Sequence, residues 1–235
     1  MKKESKNSEL KLKKFAEEGW QIINLDINYY KKLKIVFLKK IYKTLPNLKN
    51  IEFDELRIKL NKLDKEINFI RSLIIPEISN LGMLSAKKSL NSLFKKNKYL
   101  IQRNAHIDIN KSKDIFSKTV THSEIMAGHA PQTYTIWIPM HEINDCSGLF
   151  LLNLKNSLSV VDNFDVNKKE IKNFIHKNRF FPKLAESEAI IFSSFNLHGS
   201  DIHQNNKSRI STNFRIHPIN KSLFQKDSLY FKIYE

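Results

Sequence analysis

The sequence of 235 residues has a single cysteine, Cys146. An intrachain disulfide is therefore excluded, and so is a zinc site built from several thiolates. Five glycines and six prolines exclude collagen-like, linker-like and propeller-like compositions. No run approaches eighteen apolar residues, so no transmembrane helix is expected. The opening MKKESKNSELKLKK is basic but has no apolar stretch behind it, unlike a secretory leader. These absences leave a cytoplasmic globular protein as the expectation. A 41% hydrophobic share suffices for a real core.

Positive charge is in excess. Forty Lys and Arg stand against twenty-four Asp and Glu, a formal net charge of +16. Residues 1–100 hold 23 basic and 11 acidic residues, a net +12; residues 101–235 hold 17 and 13, a net +4. Lysine far outnumbers arginine, and Asn and Ile are abundant, as AT-rich coding would write on any solvated surface. The same charge would suit an anionic substrate, membrane headgroups or a partner. A basic nucleic-acid-binding protein is one alternative, but no zinc finger, RNP-like aromatic signature or Gly-rich phosphate loop supports it.

Residues 1–9 are expected to be loose. FAEEGWQIINL then reads as a short helix, an exit at Gly19 and a strand at 20–25. Helices are expected at about 29–44, 52–73 and 77–96, punctuated by Pro46 and Pro76. Leu33, Val36, Phe37 and Ile41 form one apolar face, and Leu56, Leu60, Leu63, Ile67 and Ile70 another. The texture changes at Lys98. A strand at 99–109, then QTYTIWIPMHEI, GLFLLNL, AIIFSSF and RISTNFRIH are rich in β-formers. Residues 167–180 form the only helix-like interruption, and 228–234 a possible edge strand. The expected fold is mainly β with a helical N-terminal layer. It is one domain over 1–235, with a helical supporting layer at 10–97 and a barrel or sandwich core at 98–217.

The informative polar group is His122-Ser123-Glu124. Side chains two apart on an extended segment point the same way, so one imidazole and one carboxylate can share a metal ion. His198 follows the apolar strand AIIFSSF and supplies a third ligand; His203 is its only rival. Two His and one carboxylate leave open positions, the facial triad of non-haem Fe(II) sites. Arg209, Ser211, Asn213 and Arg215 share one face of their strand. Arg209 suits a carboxylate, because its planar fork matches one bidentately, and Ser200 can donate a hydroxyl to it. Thr133, Thr135 and Trp137 share a face, as do Gln102, Asn104 and His106. His129, His141, His176 and His217 read as surface or packing histidines, and Cys146 as an ordinary thiol.

At these residues the chain resembles the iron- and 2-oxoglutarate-dependent oxygenases. It is most similar to the phytanoyl-CoA dioxygenase-like branch, and there to small bacterial members found with surface-carbohydrate biosynthesis genes. The likeness spans about 99–217 through His122-Ser-Glu124, TYTIWIPM, GLFLLNLKNS, His198-Gly-Ser200, Asn205 and Arg209. It implies a double-stranded β-helix, the jelly-roll, cupin-like core. It also implies Fe(II) on His122, Glu124 and His198, 2-oxoglutarate held by Arg209 with Ser200, and O2 as oxidant. Thr133, Thr135 and Gln102 are further candidates for the cosubstrate. Glu124 stands where most of the family has Asp, and an acid there argues against halogenating members. Asn153 departs from the Pro and Gly-Ser-His common in relatives. The implied activity is hydroxylation of a small polar or carbohydrate-related metabolite or an anionic conjugate, releasing succinate and CO2. The alternative on the same scaffold is a cupin-like metal- or sugar-binding protein without oxygenation.

Overall fold

The structure, a computed structural model, describes residues 2–94, 98–144, 148–163, 168–224 and 230–234, without the side chains of 2–9 and 233. Cys146 and positions 228 and 229 of the expected edge strand lie outside these residues.

Helix α1 (Lys2–Glu18) replaces the loose start expected for residues 1–9. It stops at Gly19, whose φ of +76° favours glycine and whose N–H donates to Phe15 O at 2.8 Å. Strand β1 (Trp20–Asn24) follows. Asp26 accepts the N–H groups of Asn28 and Tyr29 and so caps α2 (Ile27–Thr44). Helix α2 buries Tyr30, Leu33, Phe37 and Ile41, one stripe at the helical repeat. The single helix expected at 52–73 is two, α3 (Phe53–Leu60) and α4 (Lys65–Arg71). At the break, Asn61 Nδ2 donates to Ser112 Oγ at 2.8 Å and Asn61 Oδ1 accepts the Ser112 N–H at 2.7 Å. A short polar side chain there competes with the helix for backbone groups. Helix α5 (Pro76–Phe94) opens on its proline. It crosses the sheet so closely that a Cβ on Gly82 would stand 2.4 Å from Phe214 Cε1.

The strand expected at 99–109 is also two, β2 (Tyr99–Gln102) and β3 (His106–Asn110). They are followed by β4 (Tyr134–Pro139), β5 (Leu149–Leu151), β6 (Glu188–Ser193), β7 (His198–Ser200), β8 (Arg209–Pro218) and β9 (Phe231–Ile233). The larger sheet runs β1-β6-β4-β8-β2-β9 with β3 also on β8; β5 and β7 form the smaller one. All of these pairs are antiparallel. Helix α7 (Lys168–Asn178) is the expected interruption. Helix α6 (Leu154–Asp162) was not expected, because LKNSLSVVD is poor in helix formers. Asn153 caps it by accepting the Asn156 N–H at 2.8 Å.

The two-residue repeat of each strand sorts the core. Ile136, Ile138, Ile191, Ile210, Phe214 and Ile216 pack with the helices. Trp137, Ile190 and Phe192 turn the opposite way, toward Leu149 and Leu151 of the smaller sheet. The fold is thus mainly β with a helical layer on one face, as expected. The N-terminal part is more than support, since Trp20 of β1 pairs with Phe192 of β6 in the larger sheet. Among the described residues, no helix is long and apolar enough to cross a membrane.

Candidate metal centre

His198 opens β7, and His122 pairs with it in an isolated antiparallel bridge. The His122 N–H donates to His198 O at 3.0 Å, and the His198 N–H to His122 O at 2.9 Å. A pair that exchanges both bonds carries its side chains on the same side, and the ring centroids are 4.4 Å apart. The chain then turns rather than continuing as a strand, with the His129 N–H donating to Glu124 O at 3.0 Å. His122, Glu124 and His198 offer one ligand atom each, all within 4.8 Å of one another.

The tautomers of both histidines follow from their neighbours. His122 Nδ1 lies 2.8 Å from Val120 O, and His198 Nδ1 lies 3.0 Å from Asn196 O. A carbonyl only accepts, so each Nδ1 carries a proton, which leaves Nε2 as the nitrogen able to ligate a metal. Burial lowers the His198 pKa to about 4 despite the nearby Glu124 charge, so the ring is neutral at neutral pH.

Glu124 is buried and well partnered. Thr135 Oγ1 donates to its Oε1 at 3.1 Å. Arg215 donates from Nη2 to Oε1 at 2.8 Å and from Nε to Oε2 at 3.1 Å. Burial alone would raise the Glu124 pKa, but the charge and hydrogen bonds of Arg215 outweigh it and help bring it down to about 2. Two imidazoles and one ionised carboxylate, converging at a partly sheltered point, fit a divalent first-row metal with N and O ligands.

The same residues line a cavity of about 170 Å³ together with His106, Asp108, Thr135, Trp137, Arg209 and Asn213, among others. Arg209 is 2% exposed. Its Nη2 donates to Asn110 Oδ1 at 2.5 Å, and its guanidinium lies 5.6 Å from the Trp137 ring centroid. Burial lowers its pKa to about 10, which leaves it a cation at neutral pH. Arg209, Asn213 and Arg215 all reach the cavity because positions two apart on β8 share a face.

Not every expected residue reaches the cavity wall. Thr135 does. Thr133 stands one step further along, with Oγ1 3.2 Å from His217 Nδ1. Gln102 lies behind Arg215, its Oε1 accepting the Arg215 N–H at 3.0 Å. Ser200 Oγ accepts the Thr119 N–H at 2.8 Å from behind the wall. Of Gln102, Asn104 and His106, only His106 lines the cavity, since the break between β2 and β3 interrupts their shared face. His203 lies outside the cluster, with Nδ1 3.0 Å from Asn205 Oδ1 and Nε2 3.1 Å from Asn110 O.

Sequence reasoning missed the roles of four residues. Arg215 was assigned no task, yet it holds Glu124. Asp108 and Asn213 meet through a bond of 2.7 Å from Asn213 Nδ2. The parity of β3 pointed to Asp108, which follows His106 on one face; its meeting with Asn213 depended on register. His129, read as a surface or packing residue, has Nε2 3.6 Å from Glu124 Oε2.

No protein-family model matches the chain, and no curated protein does either. Solved structures do. EctD from S. alaskensis, in its apoform, aligns over 90% of this chain and 77% of its own, with 12% identity and a TM-score of 0.58. AviO1 from Streptomyces viridochromogenes Tue57 aligns over 92% and 96%, with 9% identity and a TM-score of 0.54. SnoN, a non-heme alpha ketoglutarate dependent epimerase from nogalamycin biosynthesis, aligns over 91% and 84%, with 10% identity and a TM-score of 0.52. At such identities the likeness speaks for the fold, a double-stranded β-helix core with added helices.

Proposed function

We propose that this protein is an Fe(II)- and 2-oxoglutarate-dependent oxygenase acting on a small molecule. One observation carries the reading: two histidines and a carboxylate converge in a cavity that also holds a buried arginine. Structures that align with this chain include SnoN with Fe3+ and alpha ketoglutarate, and EctD with 2-oxoglutarate and 5-hydroxyectoine. The helical layer and the β core are read as one catalytic domain over 1–235, which the β1–β6 pairing supports.

In this reading His122, Glu124 and His198 hold the metal, which when bound supplies O2 activation coupled to conversion of 2-oxoglutarate to succinate and CO2. Arg209 receives the far carboxylate of the keto acid. Asn110 fixes one edge of its guanidinium, and Trp137 lies beside it. Arg215 and Thr135 set the rotation of the Glu124 carboxylate. Ser200 supports the wall through Thr119, and Gln102 supports Arg215. Thr133 is assigned a place behind the same wall, beside His217. His106, Asp108 and Asn213 offer hydrogen bonds to a substrate, while Trp137, Leu149 and Phe192 exclude water. That polar lining favours hydroxylation of a polar, carbohydrate-related group: one oxygen atom enters the substrate and the other enters succinate.

Anaerobic titration with Fe(II) and then 2-oxoglutarate tests the reading. A visible absorption band of the iron–keto acid chelate is expected, and succinate release on admitting O2 with a matching substrate. Iron uptake with no chelate band would favour a cupin-like metal-binding protein instead.

A further inference from the structure

The metal cavity, at about 170 Å³, lies below the roughly 300–1,000 Å³ usual for a whole small-molecule site. It has little room beyond the reacting groups, so the bulk of a substrate lies outside, against the rim.

One side of that rim is the segment 111–120, KSKDIFSKTV. It leads directly into the site: Thr119 lines the cavity, and Val120 O receives the His122 Nδ1 proton. Its large apolar side chains point to solvent. Phe116 is 92% exposed, Val120 77% and Ile115 65%.

These side chains do not hang on slack chain. Asp114 Oδ1 accepts the Phe116 N–H at 2.9 Å, and Asp114 Oδ2 accepts the Ser117 hydroxyl at 2.7 Å. Asn110 Nδ2 donates to Ser117 O. Thr119 exchanges two bonds with Ser200, at 2.8 and 3.2 Å. Arg71 of α4 donates to Ile109 O, and to Ser117 Oγ at 3.3 Å. Polar groups therefore fix the loop from beneath while its apolar groups face outward. That arrangement costs hydration without stabilising the isolated chain, and exposed apolar patches of this kind mark interaction sites.

Charge identifies the occupant. The segment holds Lys111, Lys113 and Lys118 against Asp114 alone, in a chain of net charge +16. Lys111 pairs with Asp64, and Lys118 lies 3.6 Å from Asp201; Lys113 is exposed. Apolar tips flanked by lysines match a surface that is anionic outside and apolar just beneath. A lipid bilayer with acidic headgroups is such a surface.

We propose that this rim docks on an anionic lipid surface, with Ile115, Phe116 and Val120 entering the boundary between headgroups and acyl chains. The docking itself does not depend on the oxygenase reading. Joined to that reading, it makes the substrate the polar head of a membrane-held amphiphile, presented to the cavity from the bilayer.

Co-sedimentation of the metal-free full chain with extruded vesicles separates the two claims, because it needs neither iron nor keto acid. Binding to phosphatidylcholine/phosphatidylglycerol vesicles at 3:1 is expected to be at least tenfold stronger than to phosphatidylcholine alone. Phe116→Ser with Val120→Ser should lose at least tenfold of it with an unchanged melting temperature, and Lys113→Glu should weaken it. Phe116→Trp keeps the apolar tip, and its emission should shift to the blue on the mixed vesicles. Absence of binding, equal binding by the double variant, or no shift from the tryptophan would overturn the proposal. So would sedimentation velocity showing a dimer that the double variant dissolves, since the face would then belong to a second copy.

Discussion

Arg215 holds both carboxylate oxygens of Glu124, at 2.8 Å from Nη2 and 3.1 Å from Nε. It is itself held by Asn213 Oδ1 at 3.0 Å and Tyr230 Oη at 3.2 Å, and by Gln102, whose Oε1 accepts its backbone N–H at 3.0 Å. A glutamate has one more rotatable bond than an aspartate, and this clamp removes that freedom. Replacing Arg215 with Met is expected to weaken Fe(II) or Co(II) binding by roughly 10–100-fold, the usual cost of losing a group that orients a ligand. Arg215→Lys should recover part of it. Anaerobic metal titration reads the effect directly, and unchanged affinity in the Met variant would remove the positioning role.

Arg209 and Arg215 share a strand face, yet it is Arg215 that binds the Glu124 carboxylate, while Arg209 bonds to Asn110. Arg209→Ala should therefore raise the 2-oxoglutarate KM by roughly tenfold or more through loss of a charge-assisted pair, while leaving metal affinity nearly intact. Steady-state kinetics beside metal titration would separate the two. Equal cosubstrate affinity in the variant would show that the keto acid is anchored elsewhere.

His198 and His203 lie five residues apart, but only the former reaches the cluster. His198→Ala should abolish stoichiometric metal uptake. His203→Ala should keep it, with some loss of stability because its two ring bonds go. Metal content after dialysis decides, and the reverse pattern would reassign the third ligand.

His141 gives a pH dependence away from the metal. Its Nδ1 lies 2.7 Å from Glu142 O, and its Nε2 accepts the Ile210 N–H at 3.2 Å, so the folded state requires the neutral ring. Burial first, then the charge of Arg57, lowers its pKa from 6.5 to about 4. Below pH 6.5 the unfolded chain binds this proton while the folded chain resists it. Stability from this group is therefore complete above about pH 6.5 and falls progressively toward pH 4, by about 3 kcal/mol in all. Denaturant melts from pH 7 to 4 should show a shallower decline in His141→Gln, which keeps an acceptor and cannot titrate. Identical slopes in both proteins would exclude the histidine as the source.

Much of this protein was legible in its sequence. Short-range rules suffice for a helix face such as Leu33, Phe37 and Ile41, for the glycine exit at Gly19, and for the strand parity that put Arg209, Asn213 and Arg215 on one side. Local competition escaped those rules. Asn61 interrupts a helix to bind Ser112, and the chain breaks between β2 and β3, taking Gln102 out of the face that His106 occupies.

Residue types and spacing made His122, Glu124 and His198 candidates, with His203 as the rival to His198, because few side chains ligate metals and an apolar strand leads into His198. Only the tertiary structure decided that they meet. His122 and His198 are joined by backbone bonds across 76 positions of sequence, and Glu124 is turned toward them by an arginine 91 residues away. Contacts of that separation depend on sheet register and on which buried charges end up adjacent. Both are set when the whole core packs, and no local stretch of sequence encodes either.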